Sequence, residues 1–221
     1  DPPRPPRATA DPARPSASPY RTSTLWRLHA ASTLLVVPQF AVSAFSMSYL
    51  VTARHWEPLA AGRLLFAAQL LGALGRIAAG GWSDRVASRL RPMRQLAVAS
   101  AAVMLAVAAG DAVGSVLVIG ALVAGAVITV ADNGLGFTAV AELAGSSWAG
   151  RALGMQNTAQ NLASALTPGL LGLLIGGHGY PLAFAVAAVF PLLAIAMTPV
   201  AAEPAIDRVA RVAATTPGRP R

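Results

Sequence analysis

The chain has 221 residues, 55% of them hydrophobic and only 12% charged, with a mean hydropathy of +0.56, whereas soluble domains carry about 25% charge. Cysteine is absent, which excludes disulfide scaffolds, thiolate metal sites, iron-sulfur clusters and cysteine nucleophiles. All 17 basic residues are arginine and the net charge is +8, but the arginines lie in short clusters between long apolar runs, a pattern of membrane topology rather than of a nucleic-acid-binding face.

Residues 1–25 are rich in Pro, Arg, Ala and Ser and hold too few aliphatic side chains to form a core, so they read as a disordered cytoplasmic linker. No apolar segment of signal-peptide type occurs there. The chain begins with Asp and reads as a fragment, or a processed product, of a longer protein. A hydrocarbon core about 30 Å thick needs about 20 helical residues, and six runs supply them. They are residues 30–51, 59–81, two runs within 96–131, then 153–176 and 181–200. The stretch 96–131 is split at its turn-like residues 110–115, which include Gly110, Asp111 and Gly114.

Arginine placement supports that split. Six crossings gather Arg85, Arg89, Arg91, Arg94, Arg151 and both basic ends on one side, leaving Arg54 and Arg63 toward the other. Five crossings would export Arg151 and the tail, against the positive-inside rule. The predicted fold is therefore an all-α membrane protein with six transmembrane helices over residues 26–200. Both termini are expected in the cytoplasm, the membrane is read as the plasma (inner) membrane, and 201–221 is read as a disordered basic cytoplasmic tail.

Polar side chains divide the six runs. The first carries Gln39, Ser43, Ser46 and Ser48, the second Gln69 and Arg76, the fourth Thr129, Asp132 and Asn133. In the fifth, Asn157, Gln160, Asn161, Ser164 and Pro168 fall on one helical face. The third and sixth are almost wholly apolar. Two polar helices followed by an apolar one, twice over, is the pattern of two three-helix repeats lining a central path. Gly172 and Gly176 form a small-xxx-small pair, expected to serve close helix packing.

The segment Gly75-Arg76-Ile77-Ala78-Ala79-Gly80-Gly81-Trp82-Ser83-Asp84-Arg85, running on to Arg89, resembles the loop signature G-x-x-x-D-R-x-G-R of the major facilitator superfamily (MFS). Gly80, Asp84 and Arg85 match; Ala87 replaces the second glycine, and Arg89 is shifted by one. The loop from Glu142 to Arg151 is similar to the link between the tenth and eleventh helices of that family. The resemblance implies the C-terminal half of a twelve-helix MFS fold, with an N-terminal six-helix half as partner. Helices seven, eight, ten and eleven would surround the pathway, with nine and twelve outside it. It further implies that Gly80, Asp84, Arg85, Arg89, Glu142 and Arg151 form a gate. In that gate Asp84 would cap a helix of the other half and the loop arginines would bind acidic partners such as Glu142.

Arg76 and Asp132 are the most deeply placed charges, at similar depth, so an interhelical pair is expected as an alternative to substrate or proton binding. Asn133, Asn157, Gln160, Asn161 and Ser164, with Gln39 and Gln69, are the candidates for the substrate or coupling path. His29, His55 and His178 are read as lying at membrane edges or in a turn, without partners for a metal site, and no cofactor is expected. Membrane enzymes fit poorly: Asp84, Asp111 and Asp132 are too widely spaced for a phosphotransferase metal site, and no nucleophile turn of G-x-S-x-G type occurs. The reading is a secondary transporter of alternating-access type in the lipid bilayer. It moves a small anionic or polar organic solute, with proton coupling implied by the family. A non-transporting six-helix subunit or an inactive truncated fragment is the alternative.

Overall fold

The computed structural model describes residues 18–203, and within them every regular element is helical. The helices are α1 (Ser23–Ser48), α2 (Pro58–Arg85), α3 (Leu90–Ala112), α4 (Leu117–Ala131), α5 (Asn133–Ala144), α6 (Ala149–His178) and α7 (Tyr180–Met197). A π-helical turn, Tyr49–Ala53, extends α1. α4 and α5 follow one another across Asp132 as a single crossing, Leu117–Ala144.

Local chemistry sets the ends. Pro58 opens α2, where its missing N–H costs nothing, and the Glu57 carboxylate accepts from Ala60 N–H at 3.0 Å. Gly145 (φ 71°) stops α5 and Gly179 (φ 83°) stops α6, both in the left-handed region that favours glycine. The predicted split of residues 96–131 is found: α3 ends at Ala112 and α4 begins at Leu117.

Five helical stretches among the described residues are long and apolar enough to cross a bilayer: Ser23–Ala53, Pro58–Arg85, Leu90–Ala112, Leu117–Ala144 and Tyr180–Ala202. α6, 30 residues long, is held out of that set by its amides and hydroxyls, yet it packs within the same bundle on α1, α5 and α7. Contacts between the loops fix the alternation of the passes. At one end Arg54, beyond α1, donates to the Ser115 carbonyl beyond α3 at 2.6 Å, and Tyr49 Oη donates to Asp111 at 2.8 Å. At the other, arginine-rich end Arg89 donates to Glu142 at 3.4 Å, and Arg27 donates to the Ala196 carbonyl at 2.9 Å. The described residues thus make six antiparallel helical passes.

Packing follows a two-fold pattern. α2 lies against α4 as α6 lies against α1; α3 lies against α4 as α7 lies against α1; and the two third helices, α3 and α7, pack on each other. That exchange is what two related three-helix units produce. α2 approaches α4 through Gly72, where an added Cβ would stand 3.1 Å from the Ala126 carbonyl oxygen and 3.2 Å from Val130 Cγ2. The glycine pair expected to serve this purpose, Gly172 and Gly176, does not: the first faces Phe45 at an ordinary 3.8 Å and the second faces open space.

Two boundaries need correction. Residues 18–25, assigned to the linker, form a 3-10 turn (Pro19–Arg21) and the start of α1, because Tyr20 has an aromatic seat against Trp26, His29 and Trp148. Residues 201–203, assigned to the tail, continue a 3-10 turn (Val200–Ala202) that is tied down by Glu203. The rest of both segments lies outside the described residues.

Candidate functional site

α1, α5 and α6 enclose a cleft of about 160 Å³ lined by Gln39, Asn133, Asn157, Gln160, Asn161 and Ser164, together with Val36, Phe40 and Phe137. Each polar liner was a sequence candidate. Helical periodicity explains the gathering on α6, since those positions share one face. Facing it, Asn133 Nδ2 donates to Gln39 Oε1 at 3.0 Å, a bridge between α5 and α1. Gln160 Nε2 donates to the Ser32 carbonyl at 3.4 Å, whereas Asn161 and Ser164 bond the α6 backbone at Asn157 and Asn161. Among the described residues no charged side chain lines the cleft.

The other path candidates lie elsewhere. Gln69 is exposed on α2, outside the cleft lining. Arg76 donates through Nε to the Val130 carbonyl at 3.2 Å. Asp132 is buried at the α4–α5 junction, 3% exposed. Among the described residues no ion pair joins Arg76 and Asp132, so the expected pair is not formed; Arg76, exposed on α2, gives one N–H to a carbonyl at the end of α4.

The gate candidates converge on Arg89. Its Nη1 donates to Asp84 at 2.5 Å and to Ser83 Oγ at 2.9 Å, and its Nε donates to Glu142 at 3.4 Å. The hydrogen bond to Asp84 raises the Arg89 pKa above its ordinary value, with the Glu142 charge adding to it against a desolvation cost. The partner expected of Glu142 is thus present. Asp84, in the last turn of α2, is engaged by Arg89 of the same loop. Arg85 makes no ion pair among the described residues, and Arg151 lies over the Trp148 ring at 5.0 Å rather than in the cluster. Gly80 faces open space. Ala87, which replaces a signature glycine, adopts φ 47°, the left-handed conformation for which glycine is suited.

Sequence reasoning misses a third polar group. His29, near the start of α1, is buried, 5% exposed. Its Nδ1 lies 2.5 Å from Gln156 Oε1, and its Nε2 lies 3.0 Å from Tyr20 Oη. Because an amide oxygen only accepts, Nδ1 carries the proton, and in the neutral ring Nε2 accepts from Tyr20. Burial pushes the Tyr20 phenol above its ordinary pKa, keeping that donor protonated. Beside these bonds, Ser32 Oγ and Gln156 Nε2 are buried without hydrogen-bond partners among the described residues. The only sequence signal was that Gln156 and Gln160, four residues apart, extend the polar face of α6 toward its start.

The comparisons agree with this architecture. A model described as Major Facilitator Superfamily matches residues 1–168. Two curated relatives from Mycobacterium tuberculosis, each named an uncharacterized MFS-type transporter, are similar to the chain over 201 residues. Identity is 49% for the H37Rv protein and 48% for the Oshkosh protein, covering 90% of this chain and 45% of each relative. The chain therefore spans less than half the length of these relatives. By the family match and the all-helical membrane bundle, the chain belongs to the Major Facilitator Superfamily.

Proposed function

We propose that this chain is the C-terminal half of a secondary transporter that works by alternating access, rocking against an N-terminal six-helix half around a site that includes the cleft. The observation that carries the reading is the convergence of six amide and hydroxyl side chains from α1, α5 and α6 on one cleft in an otherwise apolar bundle. Polar groups in a membrane interior are costly unless they serve a path or one another. The uncharged lining, with Phe40 and Phe137 beside it, favours a polar organic solute over an anionic one. Arg76, exposed on α2 and outside the cleft lining, gives one N–H to a backbone carbonyl and so ties α2 to α4.

An N-terminal half would meet exposed apolar surface. α2 exposes Leu59, Phe66, Leu70, Leu74 and Ile77, and α6 exposes Leu162, Leu166, Leu170 and Leu173, apolar stripes that lipid or a second bundle would cover. The arginine-rich end is the cytoplasmic one by the positive-inside rule, so both termini face the cytoplasm of the inner membrane. The Asp84–Arg89–Glu142 cluster is the gate at that end, protons are the coupling ion, and no bond-making chemistry is assigned.

The test is uptake into proteoliposomes by this chain alone and joined to the six-helix segment encoded upstream, using a panel of radiolabelled solutes with and without a proton gradient. Uptake by the joined protein only, increased by the gradient and reduced by Asn161→Ala, is the expected result. No uptake by the joined protein supports a non-transporting subunit, and uptake by the chain alone overturns the half-transporter reading.

A further inference from the structure

The carboxylate of Glu203, just beyond α7, reaches the start of α3. Its Oε1 accepts from Arg89 N–H at 2.5 Å and from Leu90 N–H at 2.9 Å, and its Oε2 accepts from Ser88 Oγ at 2.5 Å. A helix start leaves its first N–H groups unpaired and partly positive, so a carboxylate there is both a cap and a charge partner. α3 has no capping side chain of its own at Arg89, its N-cap residue. Ser88 Oγ accepts locally from Arg91 N–H at 3.1 Å, and Glu203, more than a hundred residues away in the segment that follows the last crossing, takes up the Arg89 and Leu90 N–H groups.

Its location matters because Arg89 is held twice. Glu203 fixes its backbone, while Asp84 and Glu142 share its guanidinium. Ser83 and Ser88 complete the mesh: Ser83 Oγ donates to the Ser88 carbonyl at 2.8 Å and accepts from Arg89 Nη1 at 2.9 Å. A guanidinium can span two carboxylates on different elements only if its Cα is held at the right place between them. α2 supplies Asp84 and α5 supplies Glu142, so the backbone of the connecting loop determines whether Arg89 reaches both.

We propose that Glu203 is a positioning residue of the gate: the C-terminal segment clasps the α2–α3 loop and sets Arg89 where it bridges Asp84 and Glu142. Release of the clasp lets the loop move and opens the arginine-rich end of the cleft. This rests on the gate reading given above, and it adds that Glu203, just after the last crossing, controls that gate.

The experiment uses the full-length transporter in lipid vesicles, with a thiol introduced in the cleft by Asn161→Cys in a background without other reactive thiols. The rate of modification by a membrane-impermeant maleimide added at the arginine-rich side is measured. Glu203→Gln should raise that rate about tenfold, as loss of a charge-assisted contact does, and Ser88→Ala, which removes one of the three Glu203 contacts together with the Ser88 bond to Arg91 N–H, should raise it less. Combined with Glu142→Gln, Glu203→Gln should add much less than its single effect, because both act through Arg89. A helix cap with no part in the gate would instead give independent, multiplying effects. That result, or an unchanged rate in Glu203→Gln while Arg89→Ala raises it, overturns the proposal. If Arg89→Ala also leaves the rate unchanged, the gate reading itself falls and this inference with it.

Discussion

Ala87 holds φ 47° in the loop between α2 and α3. A residue with a Cβ pays about 1–2 kcal/mol there, so Ala87→Gly should stabilise the full-length protein by up to about 1 kcal/mol once the added freedom of the unfolded chain is counted. A higher midpoint of thermal unfolding in detergent checks this, and a lower one contradicts it. The buried pair near His29 gives a sharper contrast. Ser32 Oγ has no partner, so Ser32→Ala should be neutral or stabilising. Gln156→Leu strands the His29 Nδ1 proton and should cost about 1–3 kcal/mol by the same measurement. The two polar residues look alike in sequence; only their partners separate them. His29 and Gln156 lie 127 positions apart, and nothing local to either announces the bond.

At the scale of elements, α6 is the clearest case of sequence reading carried into structure. Its polar face was visible in the spacing of Asn157, Gln160, Asn161 and Ser164, because a helix converts spacing directly into direction. All four line the cleft. α2 is the opposite case. Its Gln69, a path candidate by composition, is exposed and outside the cleft lining, while α2 presents Gly72 to α4. Which face meets a neighbour depends on the neighbour's shape, which one helix's sequence does not contain. Gly72→Val should therefore loosen the α2–α4 contact, costing about 1–3 kcal/mol by overpacking, whereas Gly176→Val, facing open space, should cost little. Thermal unfolding of the two variants side by side checks the contrast.

For the whole molecule, the ionic cluster joins α2, α5 and the segment after α7 at one end of the bundle, so it is placed to respond to movement of any of them. Asp84→Asn should slow transport in the full-length protein without reducing its amount in the membrane, as read by uptake at equal expression. Equal rates would argue against the gate. The cluster's cation should not set its pH dependence. A group with a raised folded pKa contributes stability below its unfolded pKa and loses it only as pH rises through the folded value. For Arg89 both lie far above neutrality, so its contribution is constant through neutral pH, and gate opening in Glu142→Gln should show no alkaline transition near neutrality.

The sequence by itself determined the membrane class, the number of passes, the split within residues 96–131 and the polar face of α6. These follow from hydropathy, charge placement and helical periodicity, which are properties of consecutive residues. Only the tertiary structure shows that no ion pair joins Arg76 and Asp132 among the described residues, that His29 is buried, that Gly72 rather than Gly172 is a point of close approach, and that Glu203 holds Arg89. Each of those depends on the relative rotation and depth of helices remote in the chain. That arrangement is settled by packing summed over the whole bundle, so no short stretch of sequence records it.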